Sequence, residues 1–308
     1  MLYYLRKLYK ILSGRKHSFI DTKDFSRVNL TSDKTSSIIC KWILEKKPFI
    51  VTRFGNIELT WYVEYKLLGK SFASRSHYYI TNKIRNWRAS ERNIVHPYFY
   101  PSNDRFNTEF YINATERVIP EIDLLGSWSS GEKLDVVGLK CNLLTHIFDI
   151  EPYRSIHPWS LALKGKKVMI IHPMVHLFIK QMENRERLFE FPVLPIFDII
   201  PVKALFFDDP VFNSWSKVYN YYSDIIERTD FDIALIGCGT WGMPICYEVK
   251  RKGKQAIHLG GATQILFGIM GKRWRNWPEY SNLVNQYWIT KHTEIPTAAK
   301  LIEDGCYW

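Results

Sequence analysis

The chain has 308 residues, enough for about two domains, and its 46% hydrophobic and 24% charged residues exclude a disordered or low-complexity protein. No apolar stretch approaches the ~20 residues that are needed to span a bilayer, and we expect no secretory signal peptide. The five cysteines lack the spacing of a zinc site or a disulfide framework, which favours a reduced, cytoplasmic compartment.

The chain is strongly basic, with 42 Lys and Arg against 31 Asp and Glu and a net charge of +11. This surplus favours anionic partners such as acidic lipid head groups, nucleic acid or phosphorylated small molecules. Aromatic residues form 15% of the chain and suit stacking on bases or sugars. Nucleic-acid binding would need a continuous basic stripe, whereas these charges cluster near the N-terminus and at residues 250–275, so we expect no nucleic-acid partner.

A basic amphipathic segment at residues 1–30 opens the chain. On a helical wheel Arg6, Lys7 and Lys10 fall on one side, and the other side holds apolar side chains: Leu2, Leu5, Leu8, Tyr9 and Leu12. Such a helix can lie on an anionic membrane surface. Residues 1–20 therefore predict peripheral attachment to the inner face of the plasma membrane. The alternative is a terminal helix that packs on the domain.

Helices and strands alternate from residue 33 onwards. In chain order the pattern predicts a helix capped by Asp33, a strand at 48–53, a helix at 56–68, a helix at 103–117, a strand at 122–128, a strand at 166–171, a helix from 173 to about 187, a strand at 200–206, a helix at 213–228, a strand at 231–236, a helix at 240–252, a strand at 255–259 and a helix opened by Gly260 and Gly261. Such alternation is typical of βαβ units. We predict an α/β fold, a Rossmann-like parallel sheet flanked by helices, over residues 35–275, with a C-terminal extension at 276–308 packed on it.

A glycine-rich turn, Gly237-Cys-Gly239-Thr240-Trp-Gly242, follows a predicted strand and opens a helix. There, glycines let the backbone approach a phosphate, and the helix N-terminus offers free N–H groups. The alternative is a tight turn without a ligand. A dinucleotide site would also need an acid after the next strand, where this chain has His258. We therefore expect a phosphate-bearing ligand other than NAD, near a group of basic residues: Arg251, Lys252, Lys254, Lys272, Arg273 and Arg275.

A second candidate, Arg53-Phe-Gly55-Asn56-Ile-Glu58, stands at the end of the strand at 48–53. In open α/β sheets ligands bind outside the carboxyl ends of the strands. Arg53 can form a two-pronged pair with a phosphate, and Asn56 and Glu58 can both turn toward one ligand or metal. Glu58 also fits a purely structural role, because a negative charge in the first turn of a helix is stabilising by itself.

Two further loops follow predicted strands. In the first, Trp128-Ser-Ser-Gly-Glu132, the indole of Trp128 can stack on a base or a sugar ring, or it belongs to the core. In the second, His172 can act as a general base or donate to a phosphate, or it is a hydrogen-bonded structural histidine.

These motifs resemble those of the GT-D type glycosyltransferases, and more closely those of a group of uncharacterised bacterial proteins typical of polysaccharide gene clusters. The resemblance covers about residues 35–275, together with the closing Gly305-Cys-Tyr-Trp308. It is carried by Arg53-Phe-Gly-Asn-Ile-Glu58, Ile122-Asp-Leu-Leu-Gly-Ser-Trp128, Glu151-Pro-Tyr, Pro158-Trp-Ser160, Lys164-Gly-Lys-Lys-Val-Met-Ile-Ile-His-Pro173, Ile236-Gly-Cys-Gly239, Lys254-Gln-Ala-Ile-His-Leu-Gly-Gly261 and Gly268-Ile-Met-Gly-Lys-Arg-Trp274.

The resemblance implies an enzyme that transfers a sugar from a nucleotide-sugar to a glycan or lipid-linked acceptor in surface polysaccharide synthesis, such as that of O-antigen or capsule. Glu58 and His172 are then the candidate catalytic bases. The nucleotide-sugar would be held by Arg53, Gly55, Asn56, Trp128, Gly237, Gly239, Thr240, Gly242, Gly260, Gly261, Gln264, Lys272 and Arg273.

The characterised relatives carry a D-x-E motif for metal and diphosphate, and this chain has Asn56-Ile-Glu58 there. The loss of one carboxylate weakens the case for Mn²⁺ or Mg²⁺, because hard cations prefer charged oxygen ligands. Glu58 and the diphosphate can still hold a metal, or nearby cations can neutralise the diphosphate instead. The relatives also carry acids after the strand at 255–259, where this chain has Gly261-Ala-Thr-Gln264, so their catalytic base does not carry over.

Two alternative functions stay open. The first is another nucleotide-sugar-modifying enzyme, such as a reductase or an epimerase, against which the missing ribose-binding acid argues. The second is a non-catalytic nucleotide-sugar-binding or scaffold protein of the same fold, which the replacement of Asp by Asn56 favours.

Overall fold

A single parallel sheet organises the computed structural model, which describes residues 1–12, 28–67, 70–80, 105–129, 132, 135–205, 211–291 and 305–308. Within these ranges no helix is long and apolar enough to cross a membrane. Parts of the predicted N-terminal segment and of the unassigned stretch at 70–100 lie outside the described residues.

The sheet has seven strands, all parallel, in the order β3-β2-β1-β7-β6-β4-β5. The strands are β1 (Phe49–Thr52), β2 (Leu124–Ser127), β3 (Leu143–His146), β4 (Lys167–His172), β5 (Asp198–Lys203), β6 (Ile233–Ile236) and β7 (Gln255–His258). The helices are α1 (Leu2–Leu12), α2 (Ser32–Leu44), α3 (Asn56–Lys66), α4 (Phe72–Ile80), α5 (Arg105–Val118), α6 (Val175–Gln181), α7 (Trp215–Arg228), α8 (Gly242–Arg251), α9 (Thr263–Leu266) and α10 (Pro278–Ser281). The predicted α/β class is confirmed.

Apolar side chains cover both faces of the sheet. Along β1, Ile50 packs into one core cluster with α3, α5, α7 and α8, whereas Phe49 and Val51 pack into a second cluster with α2, α6 and α9. Successive residues of a strand point to opposite faces, so the four buried residues of β1 serve both cores. This pattern is expected of a parallel sheet that is covered on both sides.

The crevice that positions the site lies between the adjacent strands β1 and β7. After β1 the chain enters α3, which packs on one face of the sheet, and after β7 it enters α9, which packs on the other. The loops that leave the two strands therefore diverge at the carboxyl edge. This is the geometry at which open α/β sheets bind ligands.

Local differences from the sequence prediction have physical causes. Thr31, and not Asp33, caps α2, because the Thr31 hydroxyl accepts from the Lys34 N–H while the Asp33 carboxylate accepts from the Ser155 hydroxyl. The strand β3 was not predicted, since its four residues form an edge-strand segment with little apolar pattern. The helix α4 was also missed, because it lies in an aromatic stretch of poor periodicity.

Candidate functional site

A cavity of about 770 Å³ opens at the carboxyl edge of the sheet, within the ~300–1,000 Å³ typical of small-molecule sites. Its walls come from the loops after β1, β2, β3, β4, β6 and β7 and from residues 305–308. Thirteen of the fifteen predicted site positions line it: Arg53, Gly55, Asn56, Glu58, Trp128, His172, Gly237, Gly239, Thr240, Gly260, Gly261, Gln264 and Arg273. Gly242 and Lys272 do not.

The three glycines of the turn after β6 have separate structural roles. Gly239 has a φ of +62°, and a Cβ there would meet nothing within 4 Å, so the backbone is open toward the cavity. A Cβ on Gly237 would lie 2.5 Å from the Gly260 carbonyl oxygen, which forces glycine where two loops meet. A Cβ on Gly242 would collide with the His258 imidazole, so Gly242 permits close packing of α8 on β7.

Arg53 leaves the end of β1 with its guanidinium 5.4 Å from the ring centre of Trp128. The indole N–H of Trp128 donates to the Phe54 carbonyl at 2.9 Å, which fixes the ring. The buried carboxylate of Glu132 holds the same loop, accepting from Ser127 Oγ at 2.5 Å and from the Trp128 backbone N–H at 3.3 Å. Arg53 forms no ion pair with any described carboxylate, so its charge can serve an anion.

Glu58 stands in the first turn of α3 with its carboxyl group directly over Gly55, where a Cβ would collide with it. Burial raises the pKa of this carboxyl, and its own backbone N–H and the charges of Arg53 and Arg273 oppose that shift. The side chain lines the cavity and keeps partial solvent access. A carboxyl group with a raised pKa is better suited than an ordinary one to exchange protons with a substrate.

The lining residues fit a divalent cation poorly. Glu58 is the only carboxylate among the cavity residues that the structure describes, and Asn56 is the nearest amide on the same turn. The described ranges contain no group of three His, Cys, Asp or Glu side chains that could hold a metal ion. Mg²⁺ and Mn²⁺ prefer several oxygen ligands, so a bound cation would depend on Glu58 together with substrate oxygens.

Two buried histidines face the cavity in the neutral state. Burial, with a smaller contribution from His176, lowers the pKa of His172 to about 3, and burial together with the nearby Arg53 lowers that of His258 to about 3. The Nδ1 of His172 accepts from the Met174 backbone N–H at 3.0 Å, so the neutral ring carries its proton on Nε2 and is a donor there. His258 Nδ1 lies 2.9 Å from the Thr52 hydroxyl.

Residues 305–308 complete the lining of the cavity. The Arg273 Nη1 donates to the Tyr307 hydroxyl at 2.7 Å, and the Gln264 side-chain amide donates to the Tyr307 carbonyl at 3.0 Å. The ring of Tyr307 lies against Gly261, where a Cβ would overlap it. Tyr307 was not identified as a site residue, because no local pattern places residue 307 beside residue 273.

The basic residues at 251–275 do not form one patch. The Lys252 ammonium donates to three carbonyls at the end of α7, at 2.5 to 2.8 Å, and Arg251 pairs with Glu227 and Glu248. Lys272 is exposed and does not line the cavity. Of the six basic residues in that group, Arg273 reaches the site, and the other five do not line the cavity.

The structure thus gathers a glycine turn, two arginines, a carboxyl of raised pKa and two neutral histidines around one crevice. Comparison of the chain with protein-family models, with curated proteins and with solved structures finds no match.

Proposed function

We propose that the chain is a glycosyltransferase of the GT-D type, which moves a sugar from a nucleotide-sugar to a glycan or lipid-linked acceptor in surface polysaccharide synthesis. The observation that carries the proposal is the convergence of Arg53, Arg273 and the open backbone at Gly239 on one cavity. Two guanidinium groups and a glycine turn that opens a helix are the kinds of group that bind a diphosphate.

The transfer needs stabilisation of the leaving group. The acceptor hydroxyl oxygen forms a bond to the anomeric carbon while the bond from that carbon to the diphosphate oxygen breaks, and the electron pair leaves with the nucleoside diphosphate. Arg53 and Arg273 would neutralise the charge that grows on the diphosphate. The Nε2–H of His172 would donate a further hydrogen bond to it. The indole of Trp128, fixed beside Arg53, is suited to stack on the base or the sugar.

The acceptor proton must also be removed. Glu58 is the better candidate base, because its raised pKa makes its carboxylate a stronger proton acceptor than an ordinary glutamate. His172 is a weak candidate, since its lowered pKa and its Nε2–H disfavour a further proton. If Glu58 holds the diphosphate through Mn²⁺ or Mg²⁺, the metal would supply Lewis-acid stabilisation of the leaving group, and the base would have to be another group.

The helix α1 supports a place at the membrane surface. Six of its apolar side chains are between 41% and 77% exposed: Tyr3, Tyr4, Leu5, Leu8, Ile11 and Leu12. Exposed apolar side chains on a basic helix favour binding to anionic lipid at the inner face of the plasma membrane, close to a lipid-linked acceptor. Flotation with anionic liposomes tests this, and unchanged binding after deletion of residues 1–20 would contradict it.

One observation favours the non-catalytic alternative. The Glu58 carboxyl group lies back over the first turn of its own helix, where it interacts with its own backbone N–H, as a structural capping residue does. If capping of α3 were the only role of Glu58, the protein would bind the donor without turning it over. Release of nucleoside diphosphate from the donor therefore discriminates the two functions.

A thermal-shift screen tests donor binding. The protein is melted with UDP-, GDP-, CMP- and dTDP-sugars, with and without Mn²⁺, and a ligand at ~100 times its Kd stabilises by ~2.7 kcal/mol. We expect one nucleotide class to raise Tm in the wild type and in Arg275→Ala, an exposed neighbour that does not line the cavity, but not in Arg53→Ala or Arg273→Ala. No shift with any donor, together with a shift by NAD(P) or nucleic acid, would contradict the proposal.

A further inference from the structure

A wall of aromatic side chains lines the cavity beside the candidate donor site. Phe148, Trp274, Trp277 and Tyr280 form this aromatic wall, and all four line the cavity. The rings of Phe148, Trp274 and Trp277 lie 5.9, 6.0 and 6.0 Å from that of Tyr280, so Tyr280 is the centre of the wall. Trp277 is 44% exposed, which places it where the cavity meets solvent.

A buried ion pair fixes the wall from behind. The Tyr280 hydroxyl donates to the buried carboxylate of Glu151 at 2.8 Å, and Arg154 Nε donates to the other oxygen at 3.2 Å. The Arg154 guanidinium lies 4.7 Å from the ring centre of Tyr280 and 5.1 Å from that of Phe148. These contacts hold the Tyr280 and Phe148 rings against the ion pair.

The chemistry of the wall differs from that of the donor site. Arg154 and Glu151 do not line the cavity, so the wall has no charged group of its own, and Trp277 offers its exposed apolar ring while Tyr280 stays buried. His146 lies beside it, 4.8 Å from Phe148 between ring centres, and lines the cavity. Its Nδ1 accepts from the Phe148 backbone N–H at 3.3 Å, so the neutral ring has an N–H at Nε2. Apolar faces beside a neutral donor suit an uncharged ring that carries hydroxyl groups.

We propose that the aromatic wall is the acceptor subsite and that it holds a pyranose ring of the acceptor by stacking on the exposed ring of Trp277, which Tyr280 supports from within the core. This inference rests on the proposed glycosyl transfer. The cavity of about 770 Å³ is continuous from Arg53 to Trp277, so a sugar on the wall shares one space with a nucleotide-sugar at the arginines. Trp277 is then a determinant of acceptor binding, and the donor diphosphate does not depend on it.

Saturation-transfer NMR on the full chain tests this proposal. The probes are methyl glycosides of glucose, galactose, mannose, rhamnose and N-acetylglucosamine, and separately uridine, guanosine, cytidine and thymidine, each with and without UDP or GDP. We expect at least one glycoside to receive saturation from the wild type. Its affinity should fall about tenfold in Trp277→Ala and be retained in Trp277→Phe, since a flat apolar ring is what binds the sugar. Phe191→Ala, an exposed aromatic position (37%) outside the cavity lining, is the matched control.

The outcomes separate the two proposals. If Trp277→Ala removes nucleoside saturation and leaves glycoside saturation unchanged, the wall is a nucleobase site and the acceptor assignment is wrong. If none of the glycosides is saturated in any variant while the donor still raises Tm, the acceptor assignment fails and donor binding stands. Loss of the donor-induced Tm shift in Trp277→Ala would likewise overturn the separation of the wall from the donor site.

Discussion

Replacement of Gly239 by alanine tests the proposed contact between the glycine turn and a phosphate. Gly239 has a φ of +62°, and a Cβ added there would meet no protein atom within 4 Å. The substitution therefore strains the backbone without any collision inside the protein. The new methyl group would instead enter the cavity, in the space that we propose for a phosphate.

The cost in stability follows from the backbone alone. A non-glycine residue in the left-handed region loses about 1–2 kcal/mol, which lowers Tm by a few degrees in a chain of this size. Gly165 provides a matched control, since it has a φ of +70°, no atom within 4 Å of an added Cβ and no place in the cavity lining. We therefore expect Gly239→Ala and Gly165→Ala to lose similar stability in the absence of ligand.

The two variants should differ in their response to nucleotide. We expect the affinity for the nucleoside diphosphate that stabilises the wild type to fall at least about tenfold in Gly239→Ala, or ~1.4 kcal/mol, and to stay unchanged in Gly165→Ala. Isothermal titration calorimetry measures both values. Equal affinity in the two variants would refute a phosphate contact at this turn and would leave it as a structural turn only.

Three further predictions concern the same cavity. Burial raises the folded-state pKa of Glu58 above its usual 4.5, so the folded protein loses stability as pH rises through that raised pKa. Glu58→Gln should therefore abolish donor turnover and yet have a higher Tm than the wild type at pH 7, and this gain in Tm should shrink toward pH 4.5. The absence of the gain would contradict the raised pKa. Tyr307→Phe removes the hydrogen bond from Arg273, so calorimetry should show nucleotide affinity about fivefold weaker, ~1 kcal/mol; unchanged affinity would mean that Arg273 needs no such support. With folded pKa values of about 3 against the usual 6.5, His172 and His258 should make Tm fall as pH drops from 6.5 toward 3, and His172→Asn should flatten that fall in a melting series.

The fold was predictable where its signals are local. The strands β1, β6 and β7 are short segments with all of their residues buried, and each is followed by a glycine within three residues, so their type and order could be inferred. The strand β3 could not be inferred, because at the edge of the sheet only Leu144 and Thr145 of its four residues are buried.

The site was predictable only in part, because local sequence signals place only some of its residues. Arg53 and Gly239 stand at strand ends, so the rule for parallel sheets was enough to bring them together. Tyr307 and Tyr280 reach the cavity by tertiary packing, against Arg273 and Glu151, over separations that no sequence pattern encodes. Lys272 was assigned to the site from its sequence position next to Arg273, yet its side chain is exposed and lies outside the cavity lining.

We propose that this cavity cleaves a nucleotide-sugar, and this claim can be tested directly. The most direct measurement is the release of nucleoside diphosphate from the stabilising donor, first with water and then with the best-binding methyl glycoside, in the wild type, Glu58→Gln and Arg275→Ala. We predict release by the wild type and by Arg275→Ala, faster with the glycoside, and no release by Glu58→Gln. Donor binding without release under any of these conditions would contradict the claim and would identify a nucleotide-sugar-binding protein that has no transferase activity.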